Sequence, residues 1–189
     1  MTPISDEAAG VSLDEVAVRI RRSSNFRFSW QWFARDAAIE PSADAAQRVL
    51  ADVVTSPSNH EFLRASFSDL YARSFTIEPL HEHSHFIEGT KAIEAILARA
   101  AGNRLGAYSP VYTEPDAAYD DMVRRAFSSV SPFVAFQLQP GAVATCPACA
   151  EHCSHLFSNW FYGVAWDWCF CLFPLTRPLA WVGCLTDTD

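Results

Sequence analysis

Hydrophobic and polar residues alternate most regularly near the two ends of the chain. Over residues 26–32, Phe26, Phe28, Trp30 and Trp32 occupy every second position, with Arg27, Ser29 and Gln31 between them. A period of two predicts a strand, whose successive side chains point to opposite faces. "GVAWDWCFCLF" (163–173) repeats the pattern: Val164, Trp166, Trp168, Phe170 and Leu172 fall on one face, Asp167, Cys169 and Cys171 on the other. The Pro-bounded "PLTRP" (174–178) and the apolar "LAWVGCL" (179–185) follow, which predicts an antiparallel hairpin over 164–185. "PFVAFQLQ" (132–139) predicts a further strand, and "SFTIEPLHEHSHFIEG" (74–89) reads as extended structure weakened by Pro79.

Between these lie helical periods. "SLDE" at Ser12 is a capping-box pattern opening a helix to about Arg22, and "EPSAD" opens one from about Ala43 to Val54. Asn59 caps a predicted helix His60 to Arg73, with Leu63, Phe67, Leu70 and Tyr71 at helical spacing. Thr90 is the expected cap of a helix to about Ala101, stopped by Gly102, with Ile93, Ile96, Leu97 and Ala100 inward. "TEPDAAYDDMVRRAF" (113–127) places Pro115 and Asp116 in a first turn and Arg124 and Arg125 near the other end, as the helix dipole favours. "CPACAEHCSHLFSNW" (146–160) also looks helical. The pattern predicts a flexible tail over 1–10, then one α+β domain over 11–189. That domain is helix-rich first, with a mixed or antiparallel sheet completed by the C-terminal hairpin.

Composition supports a folded domain. The chain has 189 residues, 50% hydrophobic and 13% aromatic, enough for a sizeable core. Charged residues make up only 19%, a lean surface that suggests some apolar area is covered by a partner. The net charge of −8 disfavours nucleic acid or an anionic membrane as the direct partner and favours a basic protein. Residues 1–20 show no secretory pattern, and the apolar run from Trp160 to Pro174 is interrupted by Asp167 and too short to span a bilayer. A cytoplasmic location is expected, with the six cysteines reduced or metal-bound.

Two clusters carry candidate metal chemistry. Cys146 and Cys149 have the Cys-x2-Cys spacing that aims two thiolates at one centre, and Cys153, His152 and His155 could complete a zinc site. The competing reading is packing. With Pro147 opening a helix, Cys149, Cys153, Leu156 and Trp160 form one apolar stripe. "CPAC" is also similar to a thioredoxin-like redox motif, although a hairpin rather than most of a domain follows it. His81, His83 and His85 share one side of an extended segment, and with Glu88 they are similar to part of a cupin metal motif that binds zinc or iron. The glycine that should precede that motif is absent, and the alternative is a polar edge segment.

No Gly-x-Ser-x-Gly, P-loop, Gly-x-Gly-x-x-Gly or His-Glu-x-x-His pattern occurs. The acidic features are more coherent. Glu114, Asp116, Asp120 and Asp121 gather at one helix start. Asp187 and Asp189 follow a hairpin carrying Trp166, Trp168 and Trp181. Carboxylates beside exposed aromatics would suit a basic partner, the aromatics as anchors and the carboxylates speeding association. With its Trp-rich tail "WDWCFCLFPLTRPLAWVGCLTDTD" (166–189), the domain plan resembles the immunity proteins of bacterial polymorphic-toxin and contact-dependent-inhibition systems. The resemblance implies a cytoplasmic, non-catalytic toxin inhibitor without cofactor, a monomer or weak homodimer, bound to its cognate toxin. The alternative is a small zinc enzyme or zinc-stabilised domain using the two clusters.

Overall fold

The computed structural model describes residues 1–10, 13–22, 26–56, 58–59, 61, 85–102, 117–128, 130, 132–139 and 167–187. Within them the chain runs β1 (Thr2–Ile4), α1 (Asp6–Ala9), α2 (Asp14–Arg22), β2 (Phe26–Ala34) and α3 (Ala43–Thr55). Then come β3 (His85–Glu88), α4 (Thr90–Ala101), α5 (Ala117–Ser128), β4 (Phe133–Gln139), β5 (Asp167–Pro174) and β6 (Leu179–Asp187). The strands form one antiparallel sheet in the order β1-β2-β6-β5-β4-β3, an α+β architecture. The meander β3 to β6 closes against β2, so residues near the two ends of the chain pair in the middle of the sheet.

The predicted hairpin is present from Asp167 onward, while Val164 and Trp166 lie outside the described residues. Asp167 pairs with Thr186 and Leu172 with Trp181, in unbroken register. Phe170 and Leu172 lie in one core cluster and Cys169 and Cys171 in another, so the alternation assigned their faces correctly. Both faces are covered, however. On the first, Trp32, Trp181, Phe28, Phe170 and Leu172 pack against Ile20 of α2, Leu97 of α4 and Phe127 of α5. On the second, Phe33, Cys169, Cys171, Phe173, Val182 and Cys184 pack against Ala45, Ala46, Val49, Leu50 and Val53 of α3. Each large apolar side chain so buried contributes roughly 1.5–3 kcal/mol. β2 shows the same doubling: Phe28 and Trp32 are buried on the first face as predicted, while Ser29 and Phe33 are buried on the second.

The helices begin where local chemistry dictates. Ser42 caps α3, its hydroxyl accepting from Ala45 N at 3.1 Å. At α4 the expected cap shifts by one residue. Gly89 is the N-cap and makes no side-chain cap bond, while Thr90 is the first helical residue. The Thr90 hydroxyl instead accepts from Ala135 N at 3.2 Å, and Gly89 N donates to Ala135 O at 2.9 Å, fastening α4 to β4. Ile93, Leu97 and Ala100 face inward as predicted. α5 begins at Ala117, and the last turn of α4 ends at Gly102. Ser12, the predicted helix His60 to Arg73, the Pro115–Asp116 turn and the segment 146–160 lie outside the described residues.

Residues 1–10 are not a loose tail. β1 pairs with β2, Thr2 opposite Ala34 and Ile4 opposite Trp32. α1 is capped by Ser5 and ended by Gly10, whose φ of 70° lies in the left-handed region that favours glycine. Side chains hold the arm down. Gln31 Nε2 donates to Ile4 O at 2.6 Å, Trp30 Nε1 donates to both Asp6 carboxylate oxygens at 3.1 and 3.2 Å, and Arg177 donates to Ala9 O.

Candidate functional site

Of the predicted site residues, the strand registers bring His85, Trp168 and Asp187 to one end of the sheet. Asp187 pairs with Phe26, Asp167 with Thr186, Gln137 with Phe170 and His85 with Gln139. In an antiparallel sheet these pairs mark a common end. The start of β3, the end of β4, the start of β5 and the end of β6 therefore lie side by side there. In sequence, His81 and His83 precede β3 and Cys146 to His155 lie between β4 and β5. The opposite end holds the 174–179 turn and Phe133.

Asp120 and Asp121 sit in the first half of α5. Phe127, near the last turn of that helix, packs against Phe133 with the rings tilted and their centroids 5.8 Å apart, at the turn end of the sheet. Asp120 is seven residues earlier, about 10 Å along the helix away from that contact. Asp121 is exposed and accepts from Arg124 Nη1 at 2.7 Å. Exposed pairs of this kind are worth about 0–1 kcal/mol, so Asp121 is not committed to holding the fold.

Trp181 does not belong to a surface. It is fully buried in the first core, its ring centroid 5.4 Å from that of Phe127 and 6.3 Å from that of Phe28. The hairpin lies in the middle of the sheet with helices over both faces, so neither face of β6 meets solvent along its centre. Trp168 occupies the register position opposite Leu185. Glu114, Asp116, Trp166 and Asp189 lie outside the described residues, as do Cys146, Cys149, Cys153, His155, His81 and His83.

The structure brings together three other thiols. Cys169 and Cys184 are directly opposite one another on β5 and β6, Sγ to Sγ 3.8 Å, and Cys171 is two residues further along the same face. All three are buried, and none is in a disulfide. Burial pushes the Cys171 thiol well above its ordinary range, the neighbouring Cys169 adds to that, and the Arg35 guanidinium opposes it. Cys171 is therefore held neutral. Arg35 also lies over the Phe173 ring at 5.8 Å and donates to Leu179 O at 3.2 Å, closing the rim of this core. The Cys169–Cys184 pairing was open to sequence reasoning, because the two residues are symmetric about the 175–178 turn. In the aromatic core the indole N–H groups of Trp32 and Trp181, cross-strand neighbours, have no acceptor among the described residues.

Among the described residues no group of three or more His, Cys, Asp or Glu side chains is arranged to hold a metal ion. Among the same residues no helix is long and apolar enough to cross a membrane. No protein-family model matches the sequence, and no curated protein matches it. Among solved structures the chain is similar to citrus MAF1, at 10% identity and a TM-score of 0.32 over 92% of this chain and 97% of that one. A likeness of that size carries no argument about role.

Proposed function

We propose that this chain is a non-catalytic inhibitor of the immunity type, acting in the cytoplasm as a monomer or weak homodimer. It would block a basic toxin domain with Asp187 of its sheet and with the carboxylates Asp120 and Asp121 of α5. The observation that supports the reading is the placement of Asp167 and Asp187 at one end of the sheet, in a chain of net charge −8. Carboxylates occupy the place of nucleic-acid phosphates in a basic active site. The proposed surface excludes Trp181, which is interior. The test is co-production with the toxin domain encoded beside the gene, followed by association kinetics. Asp120→Lys with Asp121→Lys, and separately Asp187→Lys, should slow association, and a fully desolvated carboxylate among them should cost roughly 2–5 kcal/mol in affinity. Undiminished toxicity with the native chain present would end this reading.

A second reading has its own support. His85 lies opposite Gln139, so the chain enters β3 and leaves β4 side by side. His83 is two residues before His85 and Cys146 seven after Gln139, spans of about 7 Å and about 23 Å of extended chain. On this reading a zinc ion would be held by ligands drawn from His81, His83, His85, Cys146, Cys149, Cys153 and His155, whose segments adjoin β3 and β4 in sequence. Stoichiometric zinc in native protein, lost together with folding on chelation, would establish this reading, because structural zinc contributes roughly 10 kcal/mol or more.

A further inference from the structure

We infer that Cys169 and Cys184 are a redox-convertible pair that closes into a cross-strand disulfide through the centre of the sheet, by exchange with a low-molecular-weight disulfide. The inference is independent of either functional reading. It rests first on register. Residues directly opposite in an antiparallel pair have Cα atoms about 4.5 or 5.5 Å apart, and both spacings fall within the roughly 4.4–6.8 Å that a disulfide spans. Cys169 and Cys184 are such a pair, in a ladder continuous from Asp167 to Leu172. It rests secondly on the side chains, which already converge: the two sulfurs are 3.8 Å apart, and a bond needs them at about 2.05 Å. Side-chain rotation accounts for that difference, and the strands need not move apart or slip. Cys171 is excluded as a partner by the same ladder, since the residue opposite it is Val182.

The chemistry balances without a further reactant. The Cys169 thiolate attacks one sulfur of a small disulfide, forming a mixed disulfide and expelling one small thiolate. The Cys184 thiolate then attacks the Cys169 sulfur, closes the protein bond and expels the second thiolate. The two cysteine protons pass through solvent to the two expelled thiolates. The protein is oxidised by two electrons and the small disulfide is reduced to two thiols. Both cysteines are buried beneath α3, so exchange proceeds from a transiently opened state, and its rate follows that opening. The bond would tie together β5 and β6, the two innermost strands of the sheet.

The experiment is equilibration of the full chain across a series of reduced-to-oxidised glutathione ratios, with one arm native and one arm unfolded in urea and refolded in the same buffer. Thiols are then alkylated and the peptides mapped by mass spectrometry. The expected result is a linked pair of peptides joined through Cys169 and Cys184, lighter by two hydrogen atoms, appearing slowly in the native arm and readily in the refolded arm. Closing so short a loop should raise the thermal midpoint by about 6–12 °C. Cys171→Ser should leave the linked pair in place, and Cys184→Ser should abolish it with the fold retained by circular dichroism. Recovery of Cys169 and Cys184 as alkylated thiols at every ratio in the refolded arm would overturn the inference. So would a disulfide that joins Cys171 to either of them.

Discussion

On one face of the sheet Trp32, Trp181, Phe28 and Phe170 meet three helices; on the other, Cys169, Cys171, Cys184, Ala180 and Val182 meet α3. The strands are the same. Only the parity of the position decides which set a residue joins: the first face gathers the buried tryptophans, and the second gathers the three cysteines beside Phe33, Phe136 and Phe173. The first face is filled by several elements. On the second face one helix, α3, covers the core with Ala45, Ala46, Val49, Leu50 and Val53. The lesson is that a strand in mid-sheet encodes two cores at once, each with its own tolerance for change.

The sharpest way to break that comparison is to remove the largest group from the aromatic face. Trp181→Ala should destabilise by about 3–5 kcal/mol, read from the urea midpoint at unchanged slope. Next is Gly183, which shares that face. A Cβ there would lie 2.3 Å from a Trp181 ring atom, and the ring is too enclosed to move aside. Gly183→Ala should cost about 1–3 kcal/mol through overpacking, measured the same way. On the second face, Cys184→Ala removes a single heavy atom and should cost only about 1 kcal/mol. A larger loss from Cys184→Ala than from Gly183→Ala would reverse the ranking of the two faces.

The smallest effect lies outside both cores, where the N-terminal arm docks. Burial raises the Asp6 carboxyl above its ordinary value, with the Trp30 indole and a Leu13 backbone bond opposing and Asp14 adding to the rise. A carboxyl whose folded pKa is raised binds protons more readily in the native state. Its contribution therefore grows as pH falls through the folded value and is complete below the ordinary aspartate range. Asp6→Asn should remove this pH dependence from the thermal midpoint between neutral and mildly acidic pH. Parallel curves for the two proteins would show that Asp6 does not titrate differently on folding.

Much of this was legible in the chain because the signals are local. Ser42 before an acidic first turn marked α3, and alternation about the 174–178 turn marked the hairpin and the shared face of Cys169 and Cys171. The burial of Trp181 was misjudged because alternation suggests one wet face. The better signal was the lack of charge from 168 to 176, since strands covered on both faces read as unbroken apolar runs. The N-terminal arm was missed because three residues of strand carry no period, although Ser5, two acids and Gly10 spell a short capped helix. The convergence of His85, Gln139 and Asp187 at one sheet end was not readable at all, because it follows from pairings between residues far apart in sequence.

The pairing of β2 with β6 has a consequence during synthesis. β2 leaves the ribosome early, carrying Phe26, Phe28, Trp30 and Trp32, and its partner is the last strand of the sheet to be made. Among the described strands, only the three-residue β1 can pair with β2 until residues 179–187 emerge, and the edge that β6 later covers waits as a row of backbone donors and acceptors flanked by aromatics. Such a nascent chain is one that holding chaperones recognise, and its folding waits on translation rather than on any local element.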